Sequence, residues 1–301
     1  MIVDLVLVAW AISTVAARDN AAGEPRTVAI DPLSPTPSAT PTPEVSPDTA
    51  SESSAPAAVA PTKLLAAVDL NTAWRATTSE CPAAASPEVT TDGGATWVTT
   101  DATAATGITA LRSIEASSAA VASMVGFAQS DCTPLAVRTF VGGNDYAVSD
   151  EQLSNAWIID PADPSSIGSP AGTTAAPCPQ VVDVEGRDAS SVAALCADGS
   201  VLITSDAAST WSAAAVPPGT IEITASPDGW MLGIAGDPEC LGVRTGLLGV
   251  DLEWTTLGCA PLDQRTDALP GTVAMSVADG VLWLWADSGL SRSSDGGVTW
   301  L

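Results

Sequence analysis

Thr90-Thr91-Asp92-Gly93-Gly94-Ala95-Thr96-Trp97 returns as Thr204-Ser205-Asp206-Ala207-Ala208-Ser209-Thr210-Trp211 and again as Ser293-Ser294-Asp295-Gly296-Gly297-Val298-Thr299-Trp300. Each copy reads [Ser/Thr]-x-Asp-x-[Gly/Ala]-x-Thr-Trp. A hydroxyl at the first position and an Asp two residues on can take hydrogen bonds from the amides of their own turn, and Gly supplies the positive φ needed where the chain reverses. The Thr-Trp pair then leaves as a β-branched and aromatic strand whose indole can pack beneath the turn. The pattern predicts three tight hairpins. The middle copy has Ala208 at the usual Gly, which predicts a looser turn there.

The octapeptide resembles the Asp-box, or bacterial neuraminidase repeat, of sialidase-like, sortilin-like and photosystem-assembly-factor-like β-propellers. In those families the box joins the third and fourth strands of a blade and is structural. The resemblance therefore implies hairpin roles for Thr90, Asp92, Gly94 and Trp97, for Thr204, Asp206 and Trp211, and for Ser293, Asp295, Gly297 and Trp300. It implies no ligand-binding residues and no cofactor.

Spacing extends the repeat. Gly249-Val250-Asp251-Leu252-Glu253-Trp254 reads as a degraded box, with Trp254 lying 43 residues after Trp211 and 46 before Trp300, both suited to a four-stranded blade. Trp97 and Trp211 are 114 residues apart. That interval is read as holding one extra blade with a long insertion, because Cys132-Thr133-Pro134-Leu135-Ala136-Val137-Arg138-Thr139 echoes Cys240-Leu241-Gly242-Val243-Arg244-Thr245. This blade is read as having lost its box, with an irregular stretch from Gly142 to Ser154 and a final strand near Ala156 to Ile159. Short β-prone runs such as Val181 to Glu185, Val192 to Cys196 and Val281 to Trp285 complete the pattern. The expected fold is all-β: a β-propeller of about five four-stranded blades, over residues 63–100, 107–160, 178–214, 219–257 and 270–301. Ring closure is expected to use an early strand such as Thr27 to Ile30, or further C-terminal sequence.

Ahead of the propeller domain, 63–301, the reading divides the chain in two. Residues 1–18 form an apolar segment broken by Asp4, Ser13 and Thr14, expected to be a helical signal peptide or a membrane anchor. Residues 19–62 are rich in Pro, Ser, Thr and Ala, a composition that cannot support a packed core and reads as an extended, disordered linker. This layout suits an exported protein, secreted or tethered to the membrane through its N-terminal segment.

Cysteine usage agrees with export. All six Cys fall in the propeller region, none with the spacing of a zinc site, and the chain has no His. Cys178 and Cys196 flank a hairpin centred on Arg187, and Cys240 and Cys259 flank one centred near Gly249. Cys81 and Cys132 remain, by elimination, as a bridge between equivalent loops of neighbouring blades. The formal net charge of −25 argues against nucleic-acid partners. The acidic residues are scattered through turns without the spacing of a calcium loop, so no metal ligand set is assigned.

Sialidase chemistry would need an arginine clamp, a Tyr nucleophile paired with Glu, and an Asp acid/base. The chain has one Tyr, Tyr146, and lacks an Arg-Ile-Pro motif. Arg138 and Arg244 occupy equivalent positions before a turn, which favours structural roles such as pairing with an adjacent Asp. Triads that use His are excluded. A carboxylate pair such as Glu115 with Asp131 could still converge in space. Trp283 and Trp285 alternate along one strand and read as packing between blades, as do Trp74 and Trp230. The sequence thus points to a non-catalytic surface module binding a protein or glycan, with a divergent exo-sialidase-like glycoside hydrolase as the alternative. The central funnel separates the two: several Arg or two facing carboxylates there would favour catalysis, and an apolar or Ala/Ser lining would oppose it.

Overall fold

The computed structural model describes residues 55–160, 162–262 and 268–301. The apolar segment 1–18, most of the linker and the strand expected at 27–30 lie outside these. The described chain is a β-propeller built from six antiparallel sheets, each a meander of consecutive strands. Blade one holds β1 (Lys63–Ala67), β2 (Ala73–Thr77), β3 (Glu88–Thr90) and β4 (Val98–Thr99), and is followed by the short helix α1 (Ala102–Thr106). Blade two holds β5 (Ile108–Ala116), β6 (Ala122–Ala128), β7 (Pro134–Thr139) and β8 (Ala147–Val148), followed by α2 (Asp150–Asn155). Blade three has β9 (Ile158–Asp160), β10 (Asp163–Ser169) and β11 (Gly172–Ala175). Blade four runs through β12 (Val181–Gly186), β13 (Val192–Cys196), β14 (Val201–Thr204) and β15 (Ser212–Ala214). Blade five comprises β16 (Thr220–Ser226), β17 (Gly229–Ile234), β18 (Gly242–Gly249) and β19 (Trp254–Pro261), and blade six β20 (Val273–Ala278), β21 (Val281–Ala286) and β22 (Gly289–Ser293).

Six blades replace the expected five. Residues 156–159, read as the end of blade two, instead lead into the first strand of blade three, and blade two ends earlier at β8. Blade three escapes a sequence reading because β10 is Asp-Pro-Ser-Ser-Ile-Gly-Ser and β11 is Gly-Thr-Thr-Ala, with no box between them. Its packing rests on few apolar groups, chiefly Trp157, Ile158 and Ile167.

Second strands read differently from outer ones for a geometric reason. β13, β17 and β21 are buried along their whole length because neighbouring blades cover both faces, and such strands appear as continuous apolar runs. The fourth strands β4 and β8, at the rim, are exposed.

Indoles pin one blade to the next. Trp74 on β2 donates its Nε1–H to the Ser118 carbonyl in the first turn of blade two, at 3.1 Å. Trp283 on β21 does the same to Asp69 in the first turn of blade one, at 2.9 Å. Trp157, just before β9, reaches the Asp188 carbonyl of blade four, and Trp230 on β17 reaches the Glu185 carbonyl, also in blade four. Trp74, Trp230 and Trp283 are each among the most deeply buried side chains.

Blade six meets blade one without a shared sheet. Thr62 donates its backbone N–H to the Gly271 carbonyl at 2.7 Å, and the Ala67 N–H donates to Ser276 Oγ at 2.9 Å. Arg292 Nη1 donates to the Leu70 carbonyl at 2.7 Å. The Arg75 guanidinium lies over the Trp97 ring at 3.9 Å and the Trp285 ring at 4.8 Å, stacking the two blades together. Ahead of β1, Ala58 is buried and donates its N–H to the Ala197 carbonyl of blade four.

Three disulfides join Cys178 to Cys196, Cys240 to Cys259 and Cys81 to Cys132, as hairpin symmetry and elimination indicate. Cys81 follows β2 and Cys132 follows β6, so this bridge ties equivalent loops of blades one and two.

Trp283→Phe removes one pin and leaves the Asp69 carbonyl without its donor. It should cost about 2 kcal/mol, measured as a lowered denaturant midpoint with an unchanged m-value.

Candidate functional site: hairpin tips and the central channel

In the first box, Thr90 Oγ1 accepts the Asp92 and Gly94 amides at 3.4 and 3.0 Å and donates to Asp92 Oδ1 at 2.8 Å. The Asp92 carboxylate in turn accepts the Thr96 amide at 2.9 Å and the Thr96 hydroxyl at 2.5 Å. Ser293 and Asp295 reproduce the arrangement, with Gly297 N–H donating at 2.7 Å and Thr299 N–H at 2.8 Å. These bonds hold all three carboxylates near a pKa of about 2. The largest contribution comes from the Thr96 hydroxyl for Asp92 and from the following Thr amide for Asp206 and Asp295. The box side chains are thus occupied within their own turns.

The middle turn is not looser. Ala207 and Ala208 adopt φ of 56° and 66°, the Ala208 amide reaches Thr204 Oγ1 at 3.1 Å, and the Thr210 amide reaches Asp206 Oδ1 at 2.9 Å. The network imposes a left-handed backbone that L-residues disfavour. At the equivalent of Ala208, a Cβ added at Gly94 would crowd Leu290 of neighbouring blade six, and one at Gly297 would crowd Leu282 of its own blade.

The box Trps face different neighbours. Trp97 donates Nε1–H to the Gly94 carbonyl of its own turn at 3.1 Å and packs beside Trp283 and Trp285 of blade six. Trp211 packs against the blade three and four cluster, and Trp300 against that of blades five and six.

Blade two keeps the turn that the sequence reading took as lost. Thr139 Oγ1 accepts the Val141 and Gly143 amides at 3.3 and 3.0 Å, and Gly142 and Gly143 have φ of 67° and 80°. Val141 stands at the Asp position and Tyr146 at the Trp position. Tyr146 is buried, its hydroxyl shares a 2.6 Å hydrogen bond with Thr100, and burial raises its pKa. The sole Tyr is therefore a hairpin anchor. At Trp254 the turn occupies the same place between third and fourth strands, but Asp251 accepts only the Glu253 amide.

The other candidate groups separate. Glu115 lies near the end of β5, paired with Ser123 at the start of β6, whereas Asp131 lies in the turn beyond the opposite end of β6, so the two do not meet. Arg244 pairs with Asp237 at 2.9 Å; Arg138 instead lies over the Phe140 ring at 4.6 Å.

The first strands line a central channel of about 480 Å³. Into it face Asp183 and Glu185, two residues apart on β12 and hence on one face, and Glu222 on β16. Glu222 is 6% exposed. Its Oε1 accepts the Met275 amide of blade six at 3.1 Å, while Glu185 Oε2 accepts the Ala225 amide of blade five at 3.3 Å. Burial pushes Asp183 up to about 7 against the pull of the Val184 amide. Burial, reinforced by the Asp183 charge, holds Glu185 and Glu222 well above the ordinary carboxylate range.

The basic side chains of the channel look elsewhere. Lys63 donates to the Asp287 carbonyl, Arg112 to that of Ser79, and Arg187 to those of Ser226 and Pro227. Among the described residues, no group of three or more His, Cys, Asp or Glu is placed to hold a metal ion, and no helix is long and apolar enough to cross a membrane. The channel carboxylates were missed in the sequence, although the alternation in Val181-Val182-Asp183-Val184-Glu185 signals them.

No family model matches the chain, and no curated protein matches it. Among solved structures, it is similar to a GH74 xyloglucanase from Xanthomonas campestris, at 16% identity and a TM-score of 0.32, over 79% of this chain and 37% of that one. PorZ, a surface component of the type-IX secretion system of Porphyromonas gingivalis, gives 12% identity and a TM-score of 0.39, over 81% of this chain and 38% of that one. YCF48 bound to D1 peptide gives 15% and 0.28, over 82% and 68%. The chain thus spans well under half of the first two. At these identities and scores the likenesses bear on no functional question.

Two outcomes follow for the hairpins. Ala207→Gly should relieve left-handed strain and stabilise by about 0.5–1 kcal/mol, seen as a higher melting temperature. The depressed box carboxylates contribute stability that is present above the ordinary carboxylate range and lost as pH falls towards 2. The Asp92→Ala/Asp206→Ala/Asp295→Ala variant should therefore melt below the wild type at pH 7, with the gap closing at pH 2.

Proposed function

We propose that this protein is an exported, non-catalytic Asp-box β-propeller, a binding or scaffolding module for a protein or glycan outside the cytoplasm. On this reading residues 1–18 are a signal peptide or membrane anchor, 19–62 a solvated linker and 63–301 the binding domain. One observation carries it: the groups that could have formed a sialidase centre are committed to holding the fold. Tyr146 anchors a hairpin, Arg187 and Arg292 donate to carbonyls of the next blade's turn, and Trp74, Trp230 and Trp283 pin blades together. The three disulfides support an extracellular setting.

A second reading, a hydrolase using paired carboxylates, draws on Asp183, Glu185 and Glu222 in the channel. Among the described residues it has no arginine clamp to accompany it, because the lining cations are turned towards backbone carbonyls. The experiment is a glycan array and a panel of aryl glycosides presented to the same purified protein. Binding without turnover is expected. Turnover abolished by Glu222→Gln would replace this reading with the hydrolase, and silence on every glycan would leave a protein ligand.

A further inference from the structure

Two of the three carboxyl groups, those of Glu185 and Glu222, do a mechanical job in the channel. Each blade is a separate sheet, so the amides on the free edge of a first strand find no ladder partner. Glu185 of blade four supplies the acceptor for Ala225 of blade five, and Glu222 of blade five supplies it for Met275 of blade six. Asp183 lies on the Glu185 face of β12 and interacts electrostatically with both glutamates. A neutral carboxyl can accept an amide through its carbonyl oxygen at no cost in charge. An ionised one accepts the amide more strongly, but it must hold its charge beside two others, and for both glutamates burial and that repulsion outweigh the gain.

We infer that the seam joining blades four, five and six is a pH-sensitive joint, closed while Asp183, Glu185 and Glu222 are neutral and loosened as they ionise. The inference does not rest on the proposed ligand.

Compensation from the surrounding elements is weak. From β1, Lys63 faces the channel, but its Nζ is held by the Asp287 carbonyl over the Trp285 ring. From β5, Arg112 is held at Ser79, and Glu115 adds a negative charge that acts on Glu185. From blade four itself, Arg187 is spent on blade five carbonyls and Asp188 takes its bonds from Ser190 and Ser191. β20 presents Met275 and Ser276, which carry no charge. None of these cations forms a salt bridge with the three carboxyls among the described residues.

The sign follows from linkage. With carboxyl groups that keep their protons longer in the folded than in the unfolded state, the native protein binds more protons through mildly acidic pH. Stability then falls as pH rises towards and beyond 7.

The test compares the full chain with its Asp183→Asn/Glu185→Gln/Glu222→Gln variant, whose amides preserve shape and acceptors but cannot ionise. Between pH 5 and 8 the wild type should lose roughly 5–10 °C of melting temperature. The variant should lose much less. Amide exchange at Ala225 and Met275, corrected for the intrinsic pH dependence, should accelerate about tenfold in the wild type and stay level in the variant. Parallel melting curves with unchanged protection at both amides would overturn the joint. If the variant does not fold, carboxyl carbon titration of the wild type decides: a midpoint for Asp183 near neutrality supports the inference, and one near 4 removes it.

Discussion

The structure depends on the indole that crosses from one blade to its neighbour. No strand of one sheet ladders onto a strand of the next, so the ring is held mainly by side chains, helped by a few backbone bonds such as Thr62 N–H to Gly271 and Gly258 N–H to Gly297. A buried Trp fills more of that seam than any other residue, and its N–H must find an acceptor once it leaves water. For Trp74, Trp157, Trp230 and Trp283 it finds a carbonyl of an adjacent blade, whereas Trp97 bonds its own turn and the indole N–H groups of Trp211 and Trp300 are buried without a partner among the described residues. The adjacent blade's acceptor lies in the first hairpin turn for Trp74, Trp157 and Trp283, and at the end of β12 for Trp230. Size fixes the spacing of the blades and the hydrogen bond fixes their registration. The flanking arginines extend the same logic, with Arg187 and Arg292 capping turn carbonyls beside Trp230 and Trp283.

This explains how a chain of net charge −25 leaves so few ion pairs inside. Four of its cations, Lys63, Arg112, Arg187 and Arg292, serve carbonyl oxygens of other blades. Its aspartates serve backbone amides at tips exposed to solvent. The described structure contains two salt bridges, Arg75 with Glu88 and Arg244 with Asp237, both within a single blade.

Much of this was legible in the residues. The boxes announced their turns, the second strands announced themselves as unbroken apolar runs, and hairpin symmetry paired four cysteines. Blade two shows where legibility stops. Its turn survives with Val141 for Asp and Tyr146 for Trp, because one hydroxyl, on Thr139, can hold two amides while Gly142 and Gly143 supply the reversal. A pattern keyed on Asp and Trp passes over it. Blade three fails to register for a different reason. Its two outer strands are polar and small, and are held by ladder hydrogen bonds and a neighbour's cluster more than by apolar content of their own.

The channel carboxylates were only half legible: alternation along Val181 to Glu185 sets Asp183 and Glu185 on one face, but nothing local shows that this face meets Glu222 in a common space until the ring closes. Yet their chemistry is unusual for the task they perform. The free edge of β1 is met by Ser276, whose Oγ accepts the Ala67 amide at 2.9 Å. The corresponding edges of β16 and β20 are met by Glu185 and Glu222. A hydroxyl serves the first seam without carrying a charge at any ordinary pH, whereas a glutamate that loses water around it is costly unless it keeps its proton. Joining blades therefore does not by itself require carboxyl groups. Their concentration at the seams of blades four to six, away from the Ser276 seam, sets that part of the ring apart as the one whose cohesion depends on proton occupancy.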